Sequence, residues 1–227
     1  MKVTKVLAAG ALCAALSGFA FAQSRTETTV EDEYLSSVED VIITELSASP
    51  EYDNKLIALQ YLENAIGEGR TTPDMVAATR SLAGEGVTKK SRTNGRLMNN
   101  YPDIRKKACE LLGQIGTEEA KDTLVQIIAD DTEPMVVAAA VHSLGDIGIN
   151  EGDEVVNAIE FAQRRYAALN PSSSLALEIL FAYEKLADTV TDRAPMIESI
   201  SAIAANYRFA TTVRTKAYDL LRDLKAK

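Results

Sequence analysis

Tryptophan is absent from this 227-residue sequence, histidine occurs once and cysteine twice. Each shortage removes a class of chemistry. Without tryptophan there is little to build a carbohydrate-stacking platform or an aromatic cage. A lone histidine, His142, supplies neither a catalytic triad nor a zinc site. One of the two cysteines, Cys13, sits in the apolar opening segment, so Cys109 has no intramolecular partner in a mature chain and the fold is no disulfide scaffold. Positive charge is also short, with 24 Lys and Arg against 33 Asp and Glu and a formal net charge of −9. That sign opposes nonspecific binding of nucleic acid. Beyond the opening segment no apolar run approaches the roughly 20 residues that about 30 Å of hydrocarbon requires. No stable membrane insertion is expected of the mature chain.

The opening segment has the three parts of a secretory leader: Lys2 and Lys5, an apolar run from Val6 to Leu16, and Ala20-Phe21-Ala22 ahead of Gln23. Cleavage after Ala22 is expected, giving an exported protein, periplasmic or secreted. Leu12 stands before Cys13 where a lipoprotein signal needs a small residue, so lipid attachment there is not expected. Residues 23–227 then form one domain of repeats.

The repeat is plainest where residues 101–116 are laid over residues 133–148. Pro102, Ala108, Leu112, Gly113, Ile115 and Gly116 recur as Pro134, Ala140, Leu144, Gly145, Ile147 and Gly148. Proline suits a first helical turn, where its missing N–H costs little, and the closing glycine permits a left-handed stop. Apolar residues at 104, 108, 111 or 112, and 115 make one stripe of a helix. The stripe recurs in Leu175, Ile179, Tyr183 and Leu186, again in Val213, Ala217, Leu221 and Leu224, and more faintly in Lys55, Ala58, Leu62 and Ala65. Between these helices lie others, over roughly 31–46, 73–84, 118–130, 153–168 and 193–207, each with its own stripe. Thr72, Thr117 and Ser172 mark helix starts.

This pattern of Pro, then Ile-Arg, then Ala, then Leu-Gly resembles the HEAT-repeat family, in particular its short subtype, and residues 101–148 carry the resemblance. It implies an all-α fold, an α-solenoid of about five HEAT-like helical hairpins, over roughly 31–66, 73–116, 118–148, 153–187 and 193–226. Neither helix of a pair buries its stripe alone, so the hairpins stack on their neighbours. The resemblance also implies that second helices line the face where partners dock, here Lys107, Glu110, Gln114, Ala139, His142 and Asp146. It implies a bond from Asp130 or Asp131 to Arg105. Val137 stands where a further Arg would continue such a ladder.

Two other features have readings of their own. Cys109, one residue past the Ala108 position, is expected to be a structural thiol rather than a nucleophile. The segment from Gly86 to Asn100 holds Lys89, Lys90, Arg92 and Arg96 with no acid. It is either a solvated, mobile loop or a dock for an acidic protein segment or other anion. No cofactor or metal is expected. The functional expectation is an exported, non-catalytic protein–protein interaction scaffold for an envelope or cell-surface partner. The alternatives are a chaperone or inhibitor using the groove, or an enzyme like the lyases built of short HEAT-like repeats that attach bilin pigments.

Overall fold

The computed structural model describes residues 29–226. The expected leader over residues 1–22, with Cys13, lies outside the described residues. The chain divides into two compact units, residues 1–35 and residues 36–227. In the first, the described residues 30–35 are the opening turns of helix α1, Val30–Ala48.

Among the described residues the second unit takes in the rest of α1 and nine further α-helices. They are α2 Tyr52–Gly67, α3 Pro73–Ala83, α4 Pro102–Ile115, α5 Glu118–Asp130, α6 Pro134–Ile147, α7 Glu154–Leu169, α8 Ser173–Leu186, α9 Ala194–Ala205 and α10 Thr211–Ala226. The starts are set locally. The side chains of Thr72, Thr117 and Ser172 each accept from a backbone N–H three residues on, at 3.3 Å. The stops are local as well: Gly116 at φ 70° and Gly148 at φ 71° hold the left-handed conformation, and their N–H groups return to the carbonyls of Leu112 and Leu144.

The helices form two layers. One runs α3, α5, α7, α9; the other runs α2, α4, α6, α8, α10, and within each layer every helix packs on the next. The apolar stripes meet between the layers, where Ile104, Ala108, Leu112, Leu124, Val136, Ala140, Leu144, Ile159, Tyr183 and Ile200 are all buried. This is the all-α solenoid. One departure is a short antiparallel hairpin, β1 Arg92–Thr93 with β2 Arg96–Leu97, between α3 and α4.

Helices of the second layer approach closely at the repeated glycines Gly113 and Gly145. A Cβ placed on Gly113 would stand 2.6 Å from Ser143 Oγ, and one on Gly145 would stand 2.9 Å from the Ala182 Cα. The first neighbour is a side chain; the second is backbone, which cannot swing away. Gly145→Ala is therefore expected to lose about 1–3 kcal/mol by overpacking α6 against α8. This outweighs the roughly 1 kcal/mol by which alanine favours a helix over glycine. A melting temperature equal to or above that of the parent protein would refute the close-packing argument.

A chain of buried polar groups runs through the first hairpins. Lys55 Nζ donates to the Ser47 carbonyl at 3.0 Å and to Glu85 at 3.1 Å. Arg105 donates to the Glu85 carbonyl at 3.2 Å and grips Asp131 with Nε at 2.6 Å and Nη2 at 3.3 Å. Arg165 of α7 donates to the Asp131 carbonyl at 2.7 Å and to Ala129 at 3.0 Å, capping the end of α5. The expected bond from Arg105 thus falls on Asp131 rather than Asp130. The ladder also has an earlier rung, Lys55 with Glu85, that the sequence reading did not assign. Val137, fully buried, ends it.

Further along, Asp153 accepts backbone N–H bonds from Thr191 at 2.9 Å and Asp192 at 2.8 Å. Those two donors, the Asp192 amide first, hold its carboxyl below the usual range. The contact ties the start of α7 to the loop before α9.

Candidate functional site

Two surfaces carry the residues singled out from the sequence. The first is the outer face of α2, α4, α6, α8 and α10. Lys107 pairs with Glu63 at 2.5 Å, joining α4 to α2. His142 Nδ1 lies 2.8 Å from Glu178 of α8 and its Nε2 lies 3.2 Å from Asp146. Asp146 also pairs with Lys185 of α8, and Lys216 of α10 pairs with Glu184 at 2.6 Å. These exposed ion pairs clasp neighbouring helices, at a stabilisation of about 0–1 kcal/mol each.

The junction of α4 with α6 carries no such clasp among the described residues, because Lys106 and Glu110 pair within α4 at 2.6 Å. A groove of about 290 Å³ opens there, lined by Lys106 and Glu110, by Met135, Ala138, Ala139 and His142 of α6, and by Ser174 and Glu178 of α8. Its floor is small and apolar, since α6 presents two alanines, and its walls carry an ammonium, an imidazole and two carboxylates. Imidazole between two carboxylates donates to both only when protonated; neutral, it donates to one. Of the six expected face residues, the structure brings Glu110, Ala139 and His142 into this groove. Lys107 and Asp146 stand in ion pairs, and Gln114 is exposed. Lys106, Met135 and Glu178 were not foreseen. The one available signal was that Lys106 lies four residues before Glu110.

The second surface is the segment from Gly86 to Asn100. Within it, residues 92–97 form a short β-hairpin where the sequence pattern suggested a loop without regular structure. Asn94 at φ 50° and Gly95 at φ 80° make the tight turn, and Asn-Gly is the sequence signal for such a turn. At the base, the buried Asn99 side chain accepts from the Ser91 N–H at 2.9 Å and donates to Glu85 at 2.7 Å and to the Lys89 carbonyl at 2.6 Å. A cleft of about 610 Å³ lies beside it, against α2, α3 and the turn after α1. Lys89 and Lys90 line the cleft, with Ser47, Met98 and Tyr101, while Arg92 and Arg96 lie on the strands beyond.

Cys109 is fully buried, and burial pushes its thiol far above the usual range. It is inert packing between α4 and α6, where Ser143 donates to its backbone carbonyl at 2.9 Å. No cluster of His, Cys, Asp and Glu fit for a metal occurs among the described residues, and no described helix is long and apolar enough to cross a membrane.

Helical hairpins stacked in two layers, with an Arg–Asp ladder inside and an open face of second helices, define a helical-repeat protein. Residues 96–166 match the family model described as HEAT repeats. Among solved structures the chain is similar to the complex of CpcE and CpcF of phycocyanin lyase from Nostoc. The TM-score is 0.58 at 17% identity, over 83% of this chain and 65% of that one. At such identity the likeness shows the fold, and the chain spans a little under two thirds of that chain's length. Curated proteins give no match to the sequence.

The comparison corrects the leading functional expectation. A non-catalytic scaffold was inferred from the lack of a recognisable catalytic constellation, yet the similar solved structure is a complex named for a lyase. A repeat face can serve an enzyme by holding and shaping what reacts, with no triad or metal in its own sequence. Lack of a motif was therefore no argument for a scaffold.

Proposed function

We propose that this chain is a lyase-like HEAT-repeat protein that works beside a protein partner and holds a conjugated, acid-bearing group in the groove of α4, α6 and α8. The observation that carries the reading is the likeness, over 83% of the chain, to a structure solved as a complex of lyase subunits. The groove's chemistry suits the role. A flat apolar body would lie over Ala138, Ala139 and Met135 beside the His142 ring, while an acid group would meet the Lys106 ammonium. Glu110 would keep that ammonium oriented, and Glu178 would hold the His142 ring.

Titrating phycocyanobilin into the purified chain tests this by visible absorption. A saturable change with one pigment per chain is expected, weakened several-fold by Lys106→Glu combined with His142→Ala. Transfer to apo-phycocyanin, followed as pigment that stays with the acceptor after denaturation, then reports on lyase activity. An unchanged spectrum at tens of micromolar pigment would end the reading. The leader over residues 1–22 is a separate proposal, supported by a mature chain that begins at Gln23 and removed by one that retains Met1.

A further inference from the structure

We infer that the β1–β2 hairpin and the cleft beside it form a docking surface for an extended acidic segment of a protein partner, one whose carboxylates flank an apolar side chain. The inference stands apart from the pigment-binding reading and uses a different part of the molecule.

Charge is the first ground. Lys89, Lys90, Arg92 and Arg96 are all exposed, and none takes part in an ion pair among the described residues. Elsewhere most cations are engaged: Lys55, Arg70, Arg105, Lys106, Lys107, Lys121, Arg164, Lys185, Lys216 and Arg222 each meet a carboxylate, and those that do not, such as Arg80, Arg165 and Arg208, are scattered along the described chain rather than gathered in one segment. In a chain of net charge −9, four unneutralised cations in one hairpin are a local reversal of sign. An acidic partner is repelled by the rest of the surface and steered here.

Order is the second ground. Asn99, Ser91 and the Asn94-Gly95 turn fix the hairpin, and Asn99 ties it to the buried Glu85, itself held by Lys55. The cations are thus presented on a fixed frame, and docking costs little ordering entropy on this side. Gly86, at φ 74°, is part of that frame: a Cβ there would stand 2.2 Å from the Asn99 carbonyl oxygen.

Shape selects the occupant. Lys89 and Lys90 line the cleft, whereas Arg92 and Arg96 sit past it on paired strands. Arg96 shares its face with Thr93 of the cleft lining, while Arg92, opposite Leu97, lies on the other face. On the cleft side positive charge thus runs through Lys89, Lys90 and Arg96 instead of converging on one point, which fits a polypeptide carrying several carboxylates better than a compact anion. Within the cleft Met98, half exposed, and Tyr101, tilted against Tyr52 at 5.1 Å, give an apolar seat among serines. One leucine-sized side chain fills that role.

Fluorescence anisotropy of a fluorescein-labelled peptide, Glu-Glu-Glu-Leu-Glu-Glu-Glu, against the full-length protein tests the inference. Saturable binding that weakens with added salt is expected. Arg92→Glu with Arg96→Glu, both at exposed positions and checked by unchanged circular dichroism, should weaken it by roughly tenfold or more. Lys89→Glu with Lys90→Glu should do the same, and exchange of the peptide's leucine for serine should weaken it several-fold. Failure of the peptide to bind, binding by either charge-reversed protein as tight as that of the parent, indifference to the leucine, or tighter binding of a single-stranded oligonucleotide would each overturn the inference. Bilin titration of the same charge-reversed proteins is expected to be unchanged, so the two readings fail separately.

Discussion

Arg105→Met is expected to lower the unfolding free energy by about 3–5 kcal/mol, the cost of leaving a buried charge without its partner. Arg105 and Asp131 are each about 1% exposed. Besides Asp131, the guanidinium serves the Glu85 carbonyl and the Asn100 side chain. Methionine fills much of the same volume but leaves the carboxylate of Asp131 with the Glu133 N–H as its one remaining hydrogen-bond donor. The double change Arg105→Met with Asp131→Asn removes the orphan charge, so it should be less destabilising than the sum of the single changes. Chemical denaturation of the four proteins measures this coupling directly. Strict additivity would mean that the pair is not the unit described.

Leu112→Ala is expected to cost about 2–5 kcal/mol, from lost burial and the cavity left behind. Leu112 is wholly buried in α4, which packs on α2 and α3 on one side and on α5 and α6 on the other. For a chain of this size each kcal/mol corresponds to about 2–4 °C in melting temperature. In a stack where each hairpin leans on its neighbours, damage at α4 also weakens cooperation between the hairpins on its two sides. Hydrogen exchange should accelerate most in α2 to α4 and least in α8 to α10. A uniform acceleration along the chain would instead indicate one indivisible core.

The groove of α4, α6 and α8 owes its existence to a missing clasp. Where Glu63 meets Lys107, and where Glu184 meets Lys216, the faces of neighbouring second helices are closed by ion pairs. At α4 and α6 the cation and the carboxylate belong to the same helix, and the two alanines of α6 leave room. Recognition there depends on the side chains that a small-residue helix fails to supply.

Which parts were legible in advance follows from the range of the forces involved. The stripe at Ile104, Ala108 and Leu112, the caps at Thr72, Thr117 and Ser172, and the stops at Gly116 and Gly148 act within a few residues. They gave the helices, their boundaries to within two residues or so, and the repeat. His142 was placed on the open face for the same reason, being out of the buried stripe. The hairpin was missed because its signal, Asn94-Gly95, is flanked by strands of two residues each, too short for an alternating pattern. Lys55 was misread as a faint member of an apolar stripe. Its position is that of Arg105 in the later repeat, and a long cation can bury its stem only where a carboxylate waits.

The sequence by itself determined an all-helical chain of HEAT-type hairpins with an excess of negative charge, because helix periodicity, capping and composition are properties of neighbours along the chain. Tertiary structure alone decided that Glu85, 30 residues away, receives Lys55, and that Glu178, 36 residues away, meets His142. It also decided that one face stays open at α4 and α6 and that four cations share a single hairpin unneutralised. Those outcomes depend on which helices stack and how closely, and that is fixed by the fit of buried side chains between layers.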